Sequence, residues 1–200
     1  MNYDITIKII VVGNTHVGKS SIVRSYINPH VNTECTTTIG VDFFTKIITV
    51  NEKKVRVVIW DTAGQEHYRS LIQSYYRGSN AVLLVFDLTD MRSFNNVPYW
   101  INQINKVMVP NKYVIILVGN KADGISSTEP TVEPDKINLL LKEYDNLTYI
   151  KTSATSTYNI NSVFESCITA CINAGYYQDK MIGNIVIAPK IEDTNNCCEI

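Results

Sequence analysis

Several features are missing from this 200-residue sequence, and each absence excludes a class of protein. No apolar run approaches the roughly 18 residues that a membrane-spanning helix needs, and Asp4 and Lys8 interrupt the segment where a signal peptide would need an apolar core. Charge of one sign is not in excess, since 18 Lys and Arg face 19 Asp and Glu. We therefore expect a cytoplasmic protein with no nucleic-acid partner.

Cysteine and histidine are also scarce. Five cysteines, an odd number in a chain expected to be cytoplasmic, indicate reduced thiols rather than a disulfide framework. Cys167 and Cys171 are spaced i and i+4, but no histidine or third cysteine lies near them. We predict that this pair packs in the core and does not bind a metal.

The order of apolar segments predicts an α/β fold. Hydrophobic content of 45% is enough for one full core. Strands are predicted at 4–12, 41–50, 53–60, 81–86, 113–118 and 148–150. Helices are predicted at 19–27, in a short stretch that ends at Arg77, and at 94–107, 135–144 and 160–171. Within 94–107, six apolar residues recur at helical spacing and are predicted as core, although Pro98 indicates a late start or a kink. The expected architecture is a six-stranded, mostly parallel sheet with one antiparallel hairpin strand and helices on both faces.

The segment Gly13–Ser20 reads GNTHVGKS and fits the pattern G-x-x-x-x-G-K-[ST]. In this pattern the glycines let backbone N–H groups converge on an anion, the lysine supplies a compact positive charge, and the final hydroxyl can ligate Mg²⁺. It lies between a predicted strand and a predicted helix, the order that puts a phosphate at a helix N-terminus. The sequence therefore predicts a P-loop nucleotide-binding fold.

Further polar motifs follow later strands, where the carboxyl edge of the sheet would bring them together. Asp61 ends an apolar strand and is placed to hold a metal through water. Gly64 supplies a small backbone N–H for a γ-phosphate, and Gln65 can orient a water for in-line attack. These residues predict a site that hydrolyses the terminal phosphate.

The sequence Asn120-Lys121-Ala122-Asp123 directly follows a buried strand and predicts the base. A carboxylate at Asp123 can accept from guanine N1–H and the exocyclic amine, whereas adenine offers no donors there and would leave the acid unpaired. The later segment Ser153-Ala154-Thr155 is predicted to close the pocket over the base. A P-loop ATPase or kinase is the disfavoured alternative.

With these motifs the sequence resembles the Ras superfamily of small GTPases, and within it the Rab branch, over about residues 5–174. The branch is marked by the segments 39–43 (IGVDF), 59–66 (IWDTAGQE) and 75–78 (YYRG). The resemblance implies a GTPase that cycles between GDP and GTP, with Mg²⁺ held by Ser20, Thr38 and Asp61. It implies nucleotide contacts from Thr15, His16, Val17, Gly18, Lys19, Ser20, Ser21, Thr38, Gly64, Asn120, Lys121, Asp123, Ser153, Ala154 and Thr155.

The resemblance also implies partners and a role in vesicle trafficking. Rab effectors would read Ile39 and the aromatic trio Phe43, Trp60 and Tyr75, unless the trio is merely packed. An exchange factor and a GTPase-activating protein would drive the cycle. Thr15 stands where a side chain crowds the attacking water and a helper arginine, so we expect slow unaided hydrolysis. The alternative function is a membrane-tethered GTP-binding scaffold that hydrolyses too slowly to matter.

The C-terminal Cys197-Cys198-Glu199-Ile200 resembles the double-cysteine ending of Rabs, on which two prenyl groups are placed; it also reads, less well, as a C-a-a-X box. One lipid gives only marginal membrane binding, and this tail has no basic patch to assist it, so two lipids are favoured over one. We expect a GTPase domain over 1–176 and a flexible prenylated tail over 177–200. An escort protein and a GDP-dissociation inhibitor would hold the tail, and the chain would attach reversibly to the cytosolic face of an endomembrane.

Overall fold

A computed structural model describes residues 2–29, 40–62, 75–125, 132–144 and 147–179 of the chain. Helices and strands alternate along these residues. In chain order they are β1 Ile5–Val12, α1 Lys19–Ile27, β2 Val41–Val50, β3 Lys53–Thr62, β4 Ala81–Asp87, α2 Met91–Asn95, α3 Val97–Val107, β5 Val114–Asn120, α4 Pro134–Glu143, β6 Leu147–Lys151, α5 Ile160–Ala174 and β7 Gln178–Asp179. Across these ranges, no helix has both the length and the apolar composition to cross a membrane.

The strands form one sheet in the order β2-β3-β1-β4-β5-β6. Strands β3, β1, β4, β5 and β6 are mutually parallel, and β2 pairs with β3 as an antiparallel hairpin, as the sequence predicted. A two-residue strand, β7, was not predicted and pairs antiparallel with the start of β1. The sheet therefore extends into the segment that the sequence assigns to the tail.

Alternating side chains of the buried strands supply two cores, one on each face of the sheet. One core contains Ile7, Ile9 and Val11 of β1 and is covered by α1 and α5, where the rings of Tyr26 and Phe164 stack 3.8 Å apart. The other core is covered by α2, α3 and α4. Cys167 and Cys171 are fully buried on α5, which confirms their prediction as core residues.

Pro98 divides the helical segment that the sequence predicted over 94–107. Helix α2 ends at Asn95 and α3 begins at Val97, so the proline lies in the first turn, where its missing N–H is not needed. Four of the six residues predicted as core, Phe94, Val97, Ile101 and Ile104, are buried. Trp100 and Val107 are only half-buried, because they lie at the edge of the α3 face that contacts the sheet.

Candidate nucleotide-binding site

The polar motifs meet at one edge of the sheet. The phosphate loop 13–20 follows β1, Asp61 lies near the end of β3, Asp87 ends β4, and the base motif begins at the last residue of β5. Because all these strands are parallel, their carboxyl ends lie side by side, which is where open α/β sheets bind ligands.

Two glycines give the phosphate loop its course. Gly13 has φ +139°, and a Cβ built on it would lie 2.1 Å from the Val85 carbonyl oxygen of β4. Gly18 has φ +91°, and a Cβ there would lie 2.3 Å from the Asn120 amide nitrogen. No side chain caps α1 at Gly18, and the N-terminus of a helix generally attracts anions such as phosphate.

Lys19 is buried inside the loop. Its Nζ donates to the backbone oxygens of Gly13 at 2.9 Å and Asn14 at 2.6 Å. Burial lowers the pKa of Lys19 to about 8, and the nearby Asp61 carboxylate acts in the opposite direction. The ammonium is therefore fixed in place and has little water around it, which strengthens its attraction for a phosphate.

Asp61 provides the test of whether magnesium fits this site. Asp61 is 1% exposed, and its Oδ1 atom has no hydrogen-bond partner among the described residues. Burial raises the pKa of Asp61, while a hydrogen bond from Ser20 and the charge of Lys19 act against that rise. A buried acidic oxygen without a partner, next to a serine hydroxyl, is the hard oxygen donor set that Mg²⁺ prefers. The residues present therefore fit the metal.

Asn120 connects the phosphate loop to the base motif. Its Nδ2 donates to the Val17 oxygen at 2.9 Å. Its Oδ1 accepts from the Ala154 N–H at 3.2 Å and from the Thr152 hydroxyl at 3.3 Å. Since Asn120 is 1% exposed, these bonds are shielded from water and hold three separate segments together.

Asp123 and Ser153, both predicted to lie at the base site, contact each other. The Ser153 hydroxyl donates to Asp123 Oδ1 at 2.5 Å and accepts from the Ser156 N–H at 3.1 Å. Asp123 itself is exposed, in the short 3-10 turn Ala122–Gly124, so its carboxylate remains accessible to a ligand. Ala154 is half-buried and Thr155 is exposed beside it.

The remaining predicted residues divide into those the structure describes and those it does not. Thr15 and His16 are exposed on the phosphate loop, Val17 is buried, and Ser20 and Ser21 are half-buried in the first turn of α1. Predicted site residues that lie outside the described residues are Thr38, Ile39, Gly64, Gln65, Cys197 and Cys198.

The structure brings the three predicted effector aromatics together. Phe43 and Trp60 are paired residues of the β2–β3 hairpin, with ring centroids 6.3 Å apart, and Tyr75 lies 5.2 Å from Trp60. Phe43 is 69% exposed. Lys8 of β1 lies 4.6 Å from the Trp60 ring and donates to the backbone oxygens of Tyr75 and Arg77. The trio is thus one aromatic surface, supported by a lysine from below.

Sequence reasoning missed two contacts of the site. Asp87 forms a 2.6 Å ion pair with Lys121, and the Trp100 indole donates to Asn14 Oδ1 at 2.7 Å. Asp87 carried a signal, because it ends an apolar strand as Asp61 does. The contact between Trp100 and Asn14 carried none, since the two residues are 86 positions apart.

A parallel sheet with a phosphate loop after its first strand and a braced polar motif after its fifth defines a P-loop nucleotide-binding protein. The profile of the Ras family matches residues 8–173. The "Ras-related protein Rab-4" of Dictyostelium discoideum is 34% identical, with 96% of each chain covered. The "Ras-related protein Rab-30" of Homo sapiens is 35% identical over 92% of this chain and 88% of its own. The "Ras-related protein SEC4" of Saccharomyces cerevisiae is 37% identical over 82% of this chain and 74% of its own.

The chain belongs to the Ras family and, within it, is a Rab-like small GTPase. It is accordingly an enzyme that hydrolyses GTP. This confirms the fold class and the GTPase activity that the sequence predicted.

Proposed function

We propose that this GTPase works as a membrane-attached switch in vesicle traffic, with one pocket that reads guanine at one end and the γ-phosphate at the other. GTP orders two loops that contact the γ-phosphate, hydrolysis removes those contacts, and effectors distinguish the two forms. The observation that carries the proposal is a pair of hydrogen bonds made by the Asn120 side chain. One is to Val17 in the phosphate loop, and the other is to Ala154 in the segment predicted to close over the base. Because of this brace, the two ends of the pocket are built as one unit.

Guanine selection is assigned to Asp123. Its exposed carboxylate can accept from guanine N1–H and the exocyclic amine, and Ser153 holds it in position through one oxygen. Adenine cannot supply these donors, and a site that leaves a polar group unpaired rejects the wrong ligand by on the order of 10⁴-fold. Asn120, Lys121, Ala154 and Thr155 complete the walls of the base site.

Magnesium is assigned to Ser20, Asp61 and Thr38. When bound, the ion neutralises charge that develops on the β- and γ-phosphate oxygens. Two observations support this assignment: within the described part of the chain Asp61 Oδ1 is buried without a hydrogen-bond partner, and the Asp61 carboxylate accepts a hydrogen bond from Ser20. Thr38 is assigned by resemblance to the family and also senses the γ-phosphate.

Hydrolysis is assigned to Gln65, which orients the attacking water, and to the Gly64 N–H, which contacts the γ-phosphate. The phosphate loop and Lys19, whose Nζ donates to the backbone oxygens of Gly13 and Asn14, are assigned to hold the transferring group in place. Sites of this kind turn over at about 10⁻⁴ to 10⁻² per second without help. A GTPase-activating protein must therefore supply an arginine for prompt switching off, and an exchange factor must release GDP.

The effector surface is assigned to Ile39 and the aromatic trio Phe43, Trp60 and Tyr75. An exposed phenylalanine packed beside two further rings is the kind of aromatic anchor that dominates protein interfaces. Attachment to the cytosolic face of an endomembrane is assigned to prenyl groups on Cys197 and Cys198, with an escort protein and a GDP-dissociation inhibitor as further partners.

Substitution of Gln65 tests the hydrolytic assignment and its rival. We expect Gln65→Leu to bind GTP and GDP like the wild type and to lose nearly all hydrolysis, measured in single turnover with and without an activating protein. Gln178→Leu is the control, because it makes the same change on β7, at the opposite end of β1 from the phosphate loop. Normal turnover in Gln65→Leu would refute the assigned role, and undetectable stimulated turnover in the wild type would favour the scaffold alternative.

Nucleotide competition tests the pocket itself. The bound guanine nucleotide should resist displacement by a thousandfold excess of ATP, because adenine leaves Asp123 unpaired. Equal displacement by ATP and GTP would contradict the guanine assignment, whatever the rate of hydrolysis.

A further inference from the structure

Asp87 is a buried acid at the carboxyl end of β4 that the proposed switch does not yet use. It is 6% exposed, and three donors surround its carboxylate. Oδ1 accepts from the Thr89 N–H at 2.8 Å and from the Thr89 hydroxyl at 2.7 Å. Oδ2 lies 2.6 Å from Lys121 Nζ. One oxygen of the carboxylate therefore accepts hydrogen bonds from Thr89 in its own turn, and the other pairs with Lys121 of the base motif.

Lys121 is fixed at both ends. Its backbone has φ +63° and lies between the last residue of β5 and the turn Ala122–Gly124, and its carbonyl accepts from the Gly124 N–H at 3.0 Å. Its ammonium is held by Asp87, which is the register partner of Asn120 across β4 and β5. The Lys121 side chain is 41% exposed, and its hydrocarbon stem is consequently held at the backbone at one end and at Asp87 at the other.

We infer that Asp87 is a positioning residue for binding of the nucleotide base: it holds the Lys121 side chain in one conformation before the base binds. The inference rests on the proposed guanine site. A free lysine side chain has many rotamers, and their loss on binding weakens affinity. Because both ends of the Lys121 side chain are held before the nucleotide binds, this conformational entropy is already lost in the folded protein. The nucleotide is therefore retained longer.

Release of a fluorescent GDP from the Mg²⁺-loaded full chain tests this role. Asp87→Asn keeps an acceptor for Thr89 and removes the charge that holds Lys121. We expect it to accelerate GDP release about 5- to 20-fold, the low end of the range for one hydrogen bond to a charged group, because the Lys121 side chain is 41% exposed and water screens the pair. Release at the wild-type rate would overturn the inference.

Two matched controls separate this role from others. Thr89→Val removes the hydroxyl bond to Oδ1 and leaves the ion pair, so release should stay within about twofold of the wild type. Asp90→Asn makes the same change of charge three residues away, where Asp90 accepts from the Arg92 N–H and pairs with the exposed Arg92 side chain, and it should also stay within twofold. Equal acceleration in Thr89→Val would show that Asp87 acts only through its turn.

A double-mutant cycle with Lys121→Met supplies the decisive readout. If Asp87 acts through Lys121, then Asp87→Asn should add less than about twofold to release in the Lys121→Met background. The same acceleration in both backgrounds would overturn the inference. Should Asp87→Asn fail to fold, Lys121→Met breaks the same pair from its exposed end and must itself accelerate release. Equal binding of guanine and adenine nucleotides by the wild type is a separate result, which would refute the proposed function instead.

Discussion

At the scale of single residues, the phosphate loop depends on glycine for two reasons at once. Both Gly13 and Gly18 have positive φ, where an L side chain is strained, and both lie against another segment. Gly13 touches the backbone of β4 at Val85, and Gly18 touches the Asn120 side chain that braces the pocket. The small residues of the motif therefore bring the loop, the sheet and the base site into contact, in addition to leaving room for a ligand.

Substitution of Gly18 by alanine should damage binding through this contact. The new Cβ would lie 2.3 Å from Asn120 Nδ2, so the bond from Asn120 to the Val17 oxygen must break or the loop must move. Strain of about 1–2 kcal/mol adds to this cost. We expect GDP affinity to fall more than about 30-fold in equilibrium titration.

Gly175→Ala is the matched control for Gly18→Ala. Gly175 has φ +71°, but a Cβ there would meet nothing within 4 Å. This variant should be slightly less stable and should bind GDP like the wild type. Equal GDP affinity in the two variants would show that the contact with Asn120 does not matter.

At the scale of elements, α3 reaches the site from outside the nucleotide motifs. The half-buried Trp100 packs against the core of the sheet with its ring and donates to Asn14 Oδ1 at 2.7 Å with its indole nitrogen. The backbone oxygen of the same Asn14 accepts from Lys19. The helix thus supports the strand-to-loop junction that also holds Lys19, the proposed phosphate-binding lysine.

Trp100→Phe should weaken this support without removing the ring from the core. One neutral hydrogen bond contributes about 1 kcal/mol, so GDP release should accelerate about 3- to 10-fold. The effect should vanish in an Asn14→Ala background, measured as a double-mutant cycle of release rates. Additive effects of the two substitutions would show that the bond does not couple α3 to the loop.

At the scale of the whole molecule, Lys8 makes the free energy of unfolding depend on pH in the alkaline range. Burial lowers its pKa to about 8, whereas an unfolded lysine titrates near 10.5. Between these values the unfolded chain binds more protons than the folded one, so the free energy of unfolding rises with pH. The cost of burying the charged ammonium beneath Trp60 and Tyr75 is present in full below about pH 8 and is lost progressively as the pH rises from about 8 to 10.5.

Lys8→Met should remove this dependence. The difference in unfolding free energy, wild type minus variant, should increase from pH 8 to pH 10, with a slope below the limit of about 1.4 kcal/mol per pH unit for one proton. Denaturant unfolding of the GDP-bound protein at several pH values measures it. Lys54→Met is the control, because Lys54 is exposed on β3 and no burial cost is relieved there. If the wild-type minus Lys8→Met difference in unfolding free energy stayed constant or fell as the pH rose, burial of Lys8 would not be the cause.

Local patterns predicted the elements well where one face or both faces of an element are apolar. Helix α1 has the predicted bounds 19–27, and the hairpin strand β2 has the predicted bounds 41–50. Strand β3 continues two residues past its predicted end, through Asp61 and Thr62, because pairing with β2 extends the ladder. The strand β7 could not be predicted, since two polar residues carry no periodicity and pair only because β1 is nearby.

What the sequence determined by itself was the chemistry: a run of motifs, each a short string whose residue types set what it can bind. The predicted roles of Asp123 as a guanine acceptor and of Lys19 as a phosphate-binding cation follow from residue type and order along the chain. Only the tertiary structure decided which groups hold those residues in place. The pairs Asp87 with Lys121 and Trp100 with Asn14 join residues 34 and 86 positions apart, and only the folded sheet brings such distant residues within hydrogen-bonding distance.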